Sequence, residues 1–335
     1  MIAHDFTGDG HIDLFFGGRA VPSSYGEIPT SYLLENDGTG YFKNITNDYH
    51  EDLSNIGFVT HATSFDLNQD GEKDLILSLE WGNIIAFLHT KKGFEKQVLT
   101  DKKGWWNFTL PYDFDGDGDI DIIAGNLGYN SRLKASDEQP IQMYYNDFDE
   151  NGKREQVLTY HLQNREIPFA NMMEMHKQMP PLKKRFLYAE DFAKANLSDL
   201  FGKKLKEAVR FEANYFANSI LINQGNGTFL TKELPLAAQR TPYKTAAIVD
   251  ANGDDLPDIL LGGNYYHNNI QMGRMDAAYG TLLINKGDNN FEVTPLNGLA
   301  VKGQIRRIRP IEVNGKTAYI LAINDEKARI IQFVE

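Results

Sequence analysis

Short apolar runs recur along this chain, each entered through an acidic, glycine-containing stretch. Leu14-Phe15-Phe16, Leu75-Ile76-Leu77, Ile122-Ile123-Ala124 and Ile259-Leu260-Leu261 are four of them. Their length and turn-rich flanks predict buried β-strands. Around them a larger unit repeats: strand, acidic loop, apolar strand ending in Gly, variable loop, strand ending in Asn, Gly-rich turn, then Phe opening a fourth strand. The first unit reads Ile2–Asp5, Leu14–Gly18, Ser31–Asn36, then Asp37 to Phe42. A second covers 57–100, with Phe94 opening its last strand. A third covers 105–160, its final turn being the acidic stretch at Asp147. Another unit ends on Ser219–Asn223 and Phe229, and the next covers 243–296 with Leu282–Asn285 and Phe291. The last, 302–335, keeps strands at Ile305–Val313, Ala318–Ile323 and Arg329–Val334 but has no acidic loop.

Six legible units of four strands predict an all-β chain folded as one β-propeller domain over 1–335, with seven blades the favoured count. Residues 162–235 depart from the pattern. Pro180-Pro181 breaks the chain, while Phe169–Met179 and Leu182–Ala208 carry helical spacing with Ser198 as an N-cap candidate. A helical insertion within a blade, at 168–208, follows from this; a degenerate seventh blade is the alternative.

The acidic stretches share the template Asp-x-[Asp/Asn/Thr]-x-Asp-[Gly/Asp]-x-x-Asp. Oxygen ligands fall at positions 1, 3, 5 and 9: Asp5, Thr7, Asp9 and Asp13; Asp66, Asn68, Asp70 and Asp74; Asp113, Asp115, Asp117 and Asp121; Asp250, Asn252, Asp254 and Asp258. A variant supplies Asp147, Asp149, Asn151 and Glu155. Side-chain oxygens at this spacing suit a hard divalent cation, Ca²⁺ above all. An EF-hand needs a bidentate Glu at position 12. Phe16, Leu77, Ala124, Leu158 and Leu261 stand there instead, so each loop joins strands rather than helices. Plain Asp-Gly hairpin turns need one acid, not three or four at fixed spacing.

Charge changes the picture in the same direction. The formal net charge is −12, and the loop ligand positions hold 16 carboxylates. Bound calcium, three to five ions, would neutralise much of that charge where it is concentrated. An acidic chain is also a poor nucleic-acid partner. No run of 18 apolar residues occurs, so no membrane insertion is expected, and no signal peptide is visible. The absence of Cys excludes disulfides and thiol chemistry. Loops that bind calcium at ~10⁻⁴–10⁻³ M stabilise a fold only where calcium is abundant, which points to an extracellular, cell-surface or periplasmic setting. Met1 stands only four residues before the first acidic loop, and a piece of a larger protein is expected.

With each acidic loop followed by an apolar strand and Gly, as in Leu14 to Gly18 and Ile259 to Gly263, the chain resembles the FG-GAP/VCBS repeats of integrin α-type propellers and bacterial surface proteins. The resemblance covers nearly everything except 165–210. It implies a propeller, commonly seven-bladed, with structural Ca²⁺ in the loops between first and second strands. Thr7, Asp255 in place of Gly, and the position of the Asp147 loop depart from that pattern.

Alternating strands put the acidic loops, that at Asp147 included, on one face. The opposite face collects Trp105, Trp106, Tyr129, Arg132, Tyr265, Tyr266, His267, Arg274 and Tyr279, with His61 nearby. Aromatic rings beside Arg and His suit a glycan or protein ligand; packing between blades is the competing role. Of Trp105 and Trp106, one ring is expected inside and the other at the surface. A non-catalytic binding or adhesion module is the leading function, and no catalytic residue is assigned. The alternative is a polysaccharide lyase drawing on His61, His267, Tyr266, Arg132 and Arg274. A purely structural domain is a third possibility.

Overall fold

The computed structural model describes residues 1–294 and 300–333. The expected ends of the fifth unit at 296 and of the last strand at Val334 lie outside the described residues.

The first sheet is an antiparallel meander of β1 (Ile2–His4), β2 (Asp13–Phe16), β3 (Tyr32–Asn36) and β4 (Phe42–Asn44), followed by the short helix α1 (Thr46–Tyr49). The second runs β5 (Phe58–Phe65), β6 (Asp74–Gly82), β7 (Ile84–Thr90) and β8 (Gly93–Val98), with β9 (Gly104–Trp105) pairing on β6. β10 (Phe108–Tyr112) and β11 (Asp121–Gly125) begin the third. Here the chain departs from the expected unit. β12 (Ile141–Asn146), β13 (Glu155–Leu162), β14 (Arg165–Pro168) and β15 (Val209–Ala213) form a sheet of their own, in the order β14-β13-β12-β15. Only then do β16 (Ser219–Asn223) and β17 (Phe229–Glu233) return to complete the third sheet, β16 pairing with β11. β18 (Tyr243–Val249), β19 (Asp258–Gly263), β20 (Thr281–Asn285) and β21 (Phe291–Thr294) make the next sheet. β22 (Gln304–Val313), β23 (Lys316–Asn324) and β24 (Arg329–Ile331) make the last.

The unit expected at 105–160 is therefore two half-built things. Its first two strands belong with 219–233, and its last two open the insertion. Five sheets lie in blade order among the described residues, and the sixth is inserted between β11 and β16. Local pattern could not show this, because β12 and β13 have the same strand chemistry as any blade pair.

In each of the five sheets the first strand is innermost. β1, β5, β10, β18 and β22 all line one cavity of about 410 Å³. The second strands β6, β11 and β19 are sandwiched on both sides, which is why they read as continuous apolar runs. On β18, alternation suffices: Tyr243, Thr245, Ala247 and Val249 are buried and the residues between them are half-exposed.

Helices fill the link from β14 to β15: α2 (Met172–Gln178), α3 (Pro181–Arg185), α4 (Ala189–Lys194), α5 (Leu197–Phe201) and α6 (Lys204–Glu207). They match the expected span, but in short pieces. Asn171 and Asn196 each close a capping box, with Glu174 and Asp199. Ser198 thus lies inside α5 and caps nothing, since Asn196 holds the Asp199 N–H. Met175, Met179, Leu182, Leu197, Leu200 and Phe201 pack with Tyr144 and Val157 of the inserted sheet.

The inserted sheet rests on the face formed by the loops after β2, β6, β11 and β19. Ile141, Met143 and Phe211 share one apolar cluster with Phe58, Trp81, Trp105, Phe216 and Met275. The Phe58 and Phe211 rings meet edge to face at 5.1 Å. A double-mutant cycle of Phe58→Ala and Phe211→Ala, followed by urea denaturation, is expected to give a coupling of about 1 kcal/mol. Strictly additive losses would show that the insertion is not seated there.

Candidate functional site

The acidic loops are built alike, atom by atom. Position 1 accepts backbone N–H groups from the far side of its turn: Asp5 from Gly8 at 2.8 Å and Gly10 at 2.8 Å, Asp113 from Gly116 at 2.8 Å and Gly118 at 3.1 Å. Asp66, Asp147 and Asp250 do the same with Gly71, Gly152 and Gly253. Position 5 accepts from the residue two further on, as Asp117 does from Asp119 at 2.8 Å. These bonds turn the carboxylates inward. They require left-handed backbone at positions 4 and 6. Asp255, the non-glycine at position 6, adopts that geometry with φ 61°, as Gly118 does with φ 94°. The left-handed turn is thus kept, while Asp250 accepts from Gly253 where the first Asp of the other loops accepts from position 6.

Position 9 has a second duty. Asp13, Asp74, Asp121 and Asp258 are each the first residue of the second strand and are buried. One oxygen holds the loop: Asp13 accepts from Phe6 N–H at 2.8 Å and Asp74 from Leu67 N–H at 2.8 Å. The other holds the third strand: Asp13 accepts from Asn36, Asp74 from His89, Asp121 from Asn223 and Asp258 from Asn285, all at 2.8–2.9 Å. Glu155 grips Phe148 N–H at 2.9 Å.

Ligand atoms converge in two loops. Asp113, Asp115 and Asp117 bring oxygens within 4.8 Å of one another, and so do Asp147, Asp149 and Glu155. A distant amide eases the first cluster: Asn289 Nδ2 donates to Asp115 at 2.7 Å. Asp121 Oδ2 is buried with no partner among the described residues. Burial, together with Asp115, pushes the Asp121 carboxyl up to about 6. Asp74, Asp115, Glu155 and Asp258 are raised as well, burial being the largest cause in each. These residues fit a hard cation, which would supply the positive charge that the carboxylates lack.

Three of the loops sit together: Gln69 donates to the Gly118 carbonyl, and Asn285, the last residue of β20, donates its N–H to Asp258 and its side-chain amide to the Phe114 carbonyl, each at 2.8 Å. The Asp147 loop does not join them. It tips the inserted sheet, with Glu150 paired to Lys204 and Phe148 packed on Phe201.

The residues expected on the opposite face scatter. Trp106 is wholly buried and cannot meet a ligand. Trp105 is half-buried, wedged against Trp81 and Phe216 at 5.1 Å each. One ring is inside, as expected, but the other, expected at the surface, is half-buried because Trp81 and Phe216 pack on it. Tyr129 bonds Glu233, and Arg132 stacks on Phe169 at 5.0 Å within the insertion. Tyr266 lies under Arg274 at 3.6 Å, His267 faces Asp325 at 3.4 Å, and Tyr279 is exposed beside Lys302.

Tyr265 and Trp105 do share a cavity, of about 440 Å³, with His61, Arg19, Glu80, Lys244, Arg306 and Arg307. It opens beside the inner strands. Lys244 bonds Asn107 and lies 5.6 Å from the Tyr265 ring. Burial, then Arg19, pulls its ammonium down to about 7. Arg307 donates to His61 Nε2 at 3.2 Å, and burial followed by Arg307 lowers His61 to about 4. Sequence reading missed Lys244, Arg306 and Arg307, since single cations on strands carry no motif.

The Asp121 shift gives a signed expectation. Without divalent cation its folded value of about 6 exceeds the ordinary carboxyl value of 3.8, so the native state holds the extra proton between them. Stability must then fall as pH rises from ~4 to ~6, because the folded chain alone resists losing that proton. Chelated protein followed by urea denaturation across this range is expected to show the decline, and Asp121→Asn to flatten it. An unchanged slope in the variant would reject Asp121 as the source.

Residues 5–77 and 66–124 match a family described as an FG-GAP-like repeat. No curated protein matches the chain. The matched stretches contain the first three acidic loops and the apolar strands that leave them, so residues 5–124 are similar to FG-GAP-like repeats.

Proposed function

We propose that this chain is a calcium-stabilised, extracellular propeller that acts as a non-catalytic binding module for a glycan or protein. The observation that carries the reading is the separation of two kinds of site. Carboxylate loops, shaped by their own N–H bonds, stand at one end of the blades. A cavity walled by Trp105 and Tyr265 stands at the inner edge of the other. The first suits structural cations and the second a ligand. Five inner strands facing one cavity support a propeller; the favoured count of seven has no support from the five blade-ordered sheets. Among the described residues no helix is long and apolar enough to cross a membrane. FG-GAP-like repeats and calcium-dependent loops favour an exterior location, at the cell surface or in the periplasm. Nucleic acid remains an unfavourable partner for a chain of net charge −12.

Calcium is assigned by ligand chemistry. All-oxygen loops with carboxylate, amide and backbone donors suit it better than Zn²⁺ or Cu²⁺. The loop at 113–121 is the strongest site, with four acids, and the loop at Asp147 the second, with three converging. The insertion covers much of the face first expected to bind, so the ligand is assigned to the cavity that stays open at its margin. Tyr266, His267, Arg274 and Tyr279, half-buried or exposed, follow Tyr265 in the same long loop and form a fringe to it.

One observation favours the lyase alternative: His61, Tyr265 and three Arg (Arg19, Arg306 and Arg307) line the same cavity. His267, Tyr266, Arg274 and Arg132, the other parts that reading needed, lie outside its lining.

Two measurements test the proposal. At calcium tenfold above the dissociation constant each site is expected to add about 1.4 kcal/mol, seen as a rise in Tm that a chelator reverses. Asp117→Ala should remove one calorimetrically counted ion; no loss of an ion would sink the assignment of that loop. A glycan array and a uronate-cleavage screen, run with and without calcium, separate binding from catalysis. Retention without cleavage is expected, and ultraviolet absorbance from an unsaturated product would replace the binding reading with the lyase.

A further inference from the structure

We propose that the cavity beside the inner strands is an anion-binding site, and that it takes the carboxylate of a uronic-acid saccharide. This rests on the binding-module reading and names the ligand class for it.

The argument begins from charge. The chain has 46 acidic and 34 basic residues, yet this cavity gathers Arg19, Lys244, Arg306 and Arg307 against a single carboxylate, Glu80. Glu80 pairs with Arg19 at 3.3 Å. Lys244, Arg306 and Arg307 have no carboxylate partner within 4.0 Å among the described residues. They are held by neutral acceptors instead: Lys244 by Asn107, Arg306 by the Asn264 carbonyl at 2.8 Å and Gln304 Oε1 at 2.6 Å, Arg307 by His61. Neutral acceptors fix where these cations sit without cancelling their charge.

Crowding like charges in a half-buried space destabilises the fold unless an anion offsets it. Burial lowers the values of both guanidinium groups and of Lys244, the sign of charges kept from water without compensation. The excess is not a property of one loop. Arg307 also lines the neighbouring cavity of about 410 Å³, together with Arg309 of the same strand and Lys73 of the second acidic loop, so positive charge continues beyond this cavity. The arrangement is an oxyanion receptor: guanidinium forks for a planar carboxylate and an ammonium as a point charge.

Size and walls choose the bearer of that carboxylate. A space of about 440 Å³ lies in the range of small-ligand sites and would not admit a folded partner. Trp105 and Tyr265 give the wall aromatic surface of the kind a sugar ring packs on, Tyr265 lying under Lys244 at 5.6 Å and Arg306 at 5.7 Å, so that cations and rings meet at one place. Bare phosphate or sulfate would use the cations but not the rings.

The probes are trigalacturonate, its fully methyl-esterified form and inorganic sulfate, titrated into the calcium-loaded chain by calorimetry and tryptophan fluorescence. Trigalacturonate is expected to bind, to weaken as salt is raised, and to exceed both the ester and sulfate. Lys244→Met and Arg306→Gln should each weaken it at least about tenfold. Their Tm without ligand should be no lower than the parent's and their calcium response unchanged, which separates lost contact from lost fold. Equal binding of acid and ester, or variants that bind like the parent, would overturn the anion site. Sulfate binding as tightly as trigalacturonate would overturn the saccharide. Array ligands that are neutral and indifferent to both variants would overturn this inference while leaving the binding module standing.

Discussion

The architecture depends on one buried acid in each of the first four blade sheets. At the head of the second strand, Asp13, Asp74 or Asp258 joins the acidic loop to the end of the third strand through two backbone N–H groups, and Asp121 holds the third strand through one, its other oxygen having no partner among the described residues. A carboxylate is suited to this because it accepts on both oxygens at once, which an amide cannot. The cost is a charge buried near the other loop acids. Hydrogen bonds to N–H groups lessen that cost, and a cation would remove most of the rest. Fold and metal chemistry are therefore the same problem solved by the same side chains.

That bond also shows how the insertion is tolerated. Asp121 and Asn223 stand 102 residues apart and still make the contact that Asp13 and Asn36 make within one short unit. β11 and β16 pair as directly as β19 and β20 do. The intervening chain offsets its own entropy by building a sheet and a helical layer with a separate core. Its apolar underside, around Ile141, Met143 and Phe211, then occupies the aromatic face that the blades would otherwise expose. A face rich in Tyr and Trp was thus partly a docking surface for the chain itself.

Charge is segregated along the blades. Acids concentrate at the loop end, and Arg19, Lys244, Arg306 and Arg307 collect beside the inner strands. The net value of −12 conceals this, because it averages two regions of opposite sign. Each region makes sense only with a partner of the other sign, a cation for the loops and an anion for the cavity.

The loops, the strands that follow them and the helical character of the insertion were legible because they are local: ligand spacing, apolar runs and Pro180-Pro181 act within a few residues. Asp255 stood in the sequence as a departure from the pattern, and only the fold showed that this Asp adopts the left-handed backbone that Gly prefers. Strand partnership was not legible either. Sequence alone makes β12 the natural neighbour of β11, and only the folded chain decides that Asn223 takes that place. The fate of Trp106, buried while Trp105 reaches a cavity, and the meeting of Lys244 with Arg306 and Arg307 were decided the same way. Those contacts join residues far apart in the chain, and periodicity carries no information about which distant strand will arrive beside them.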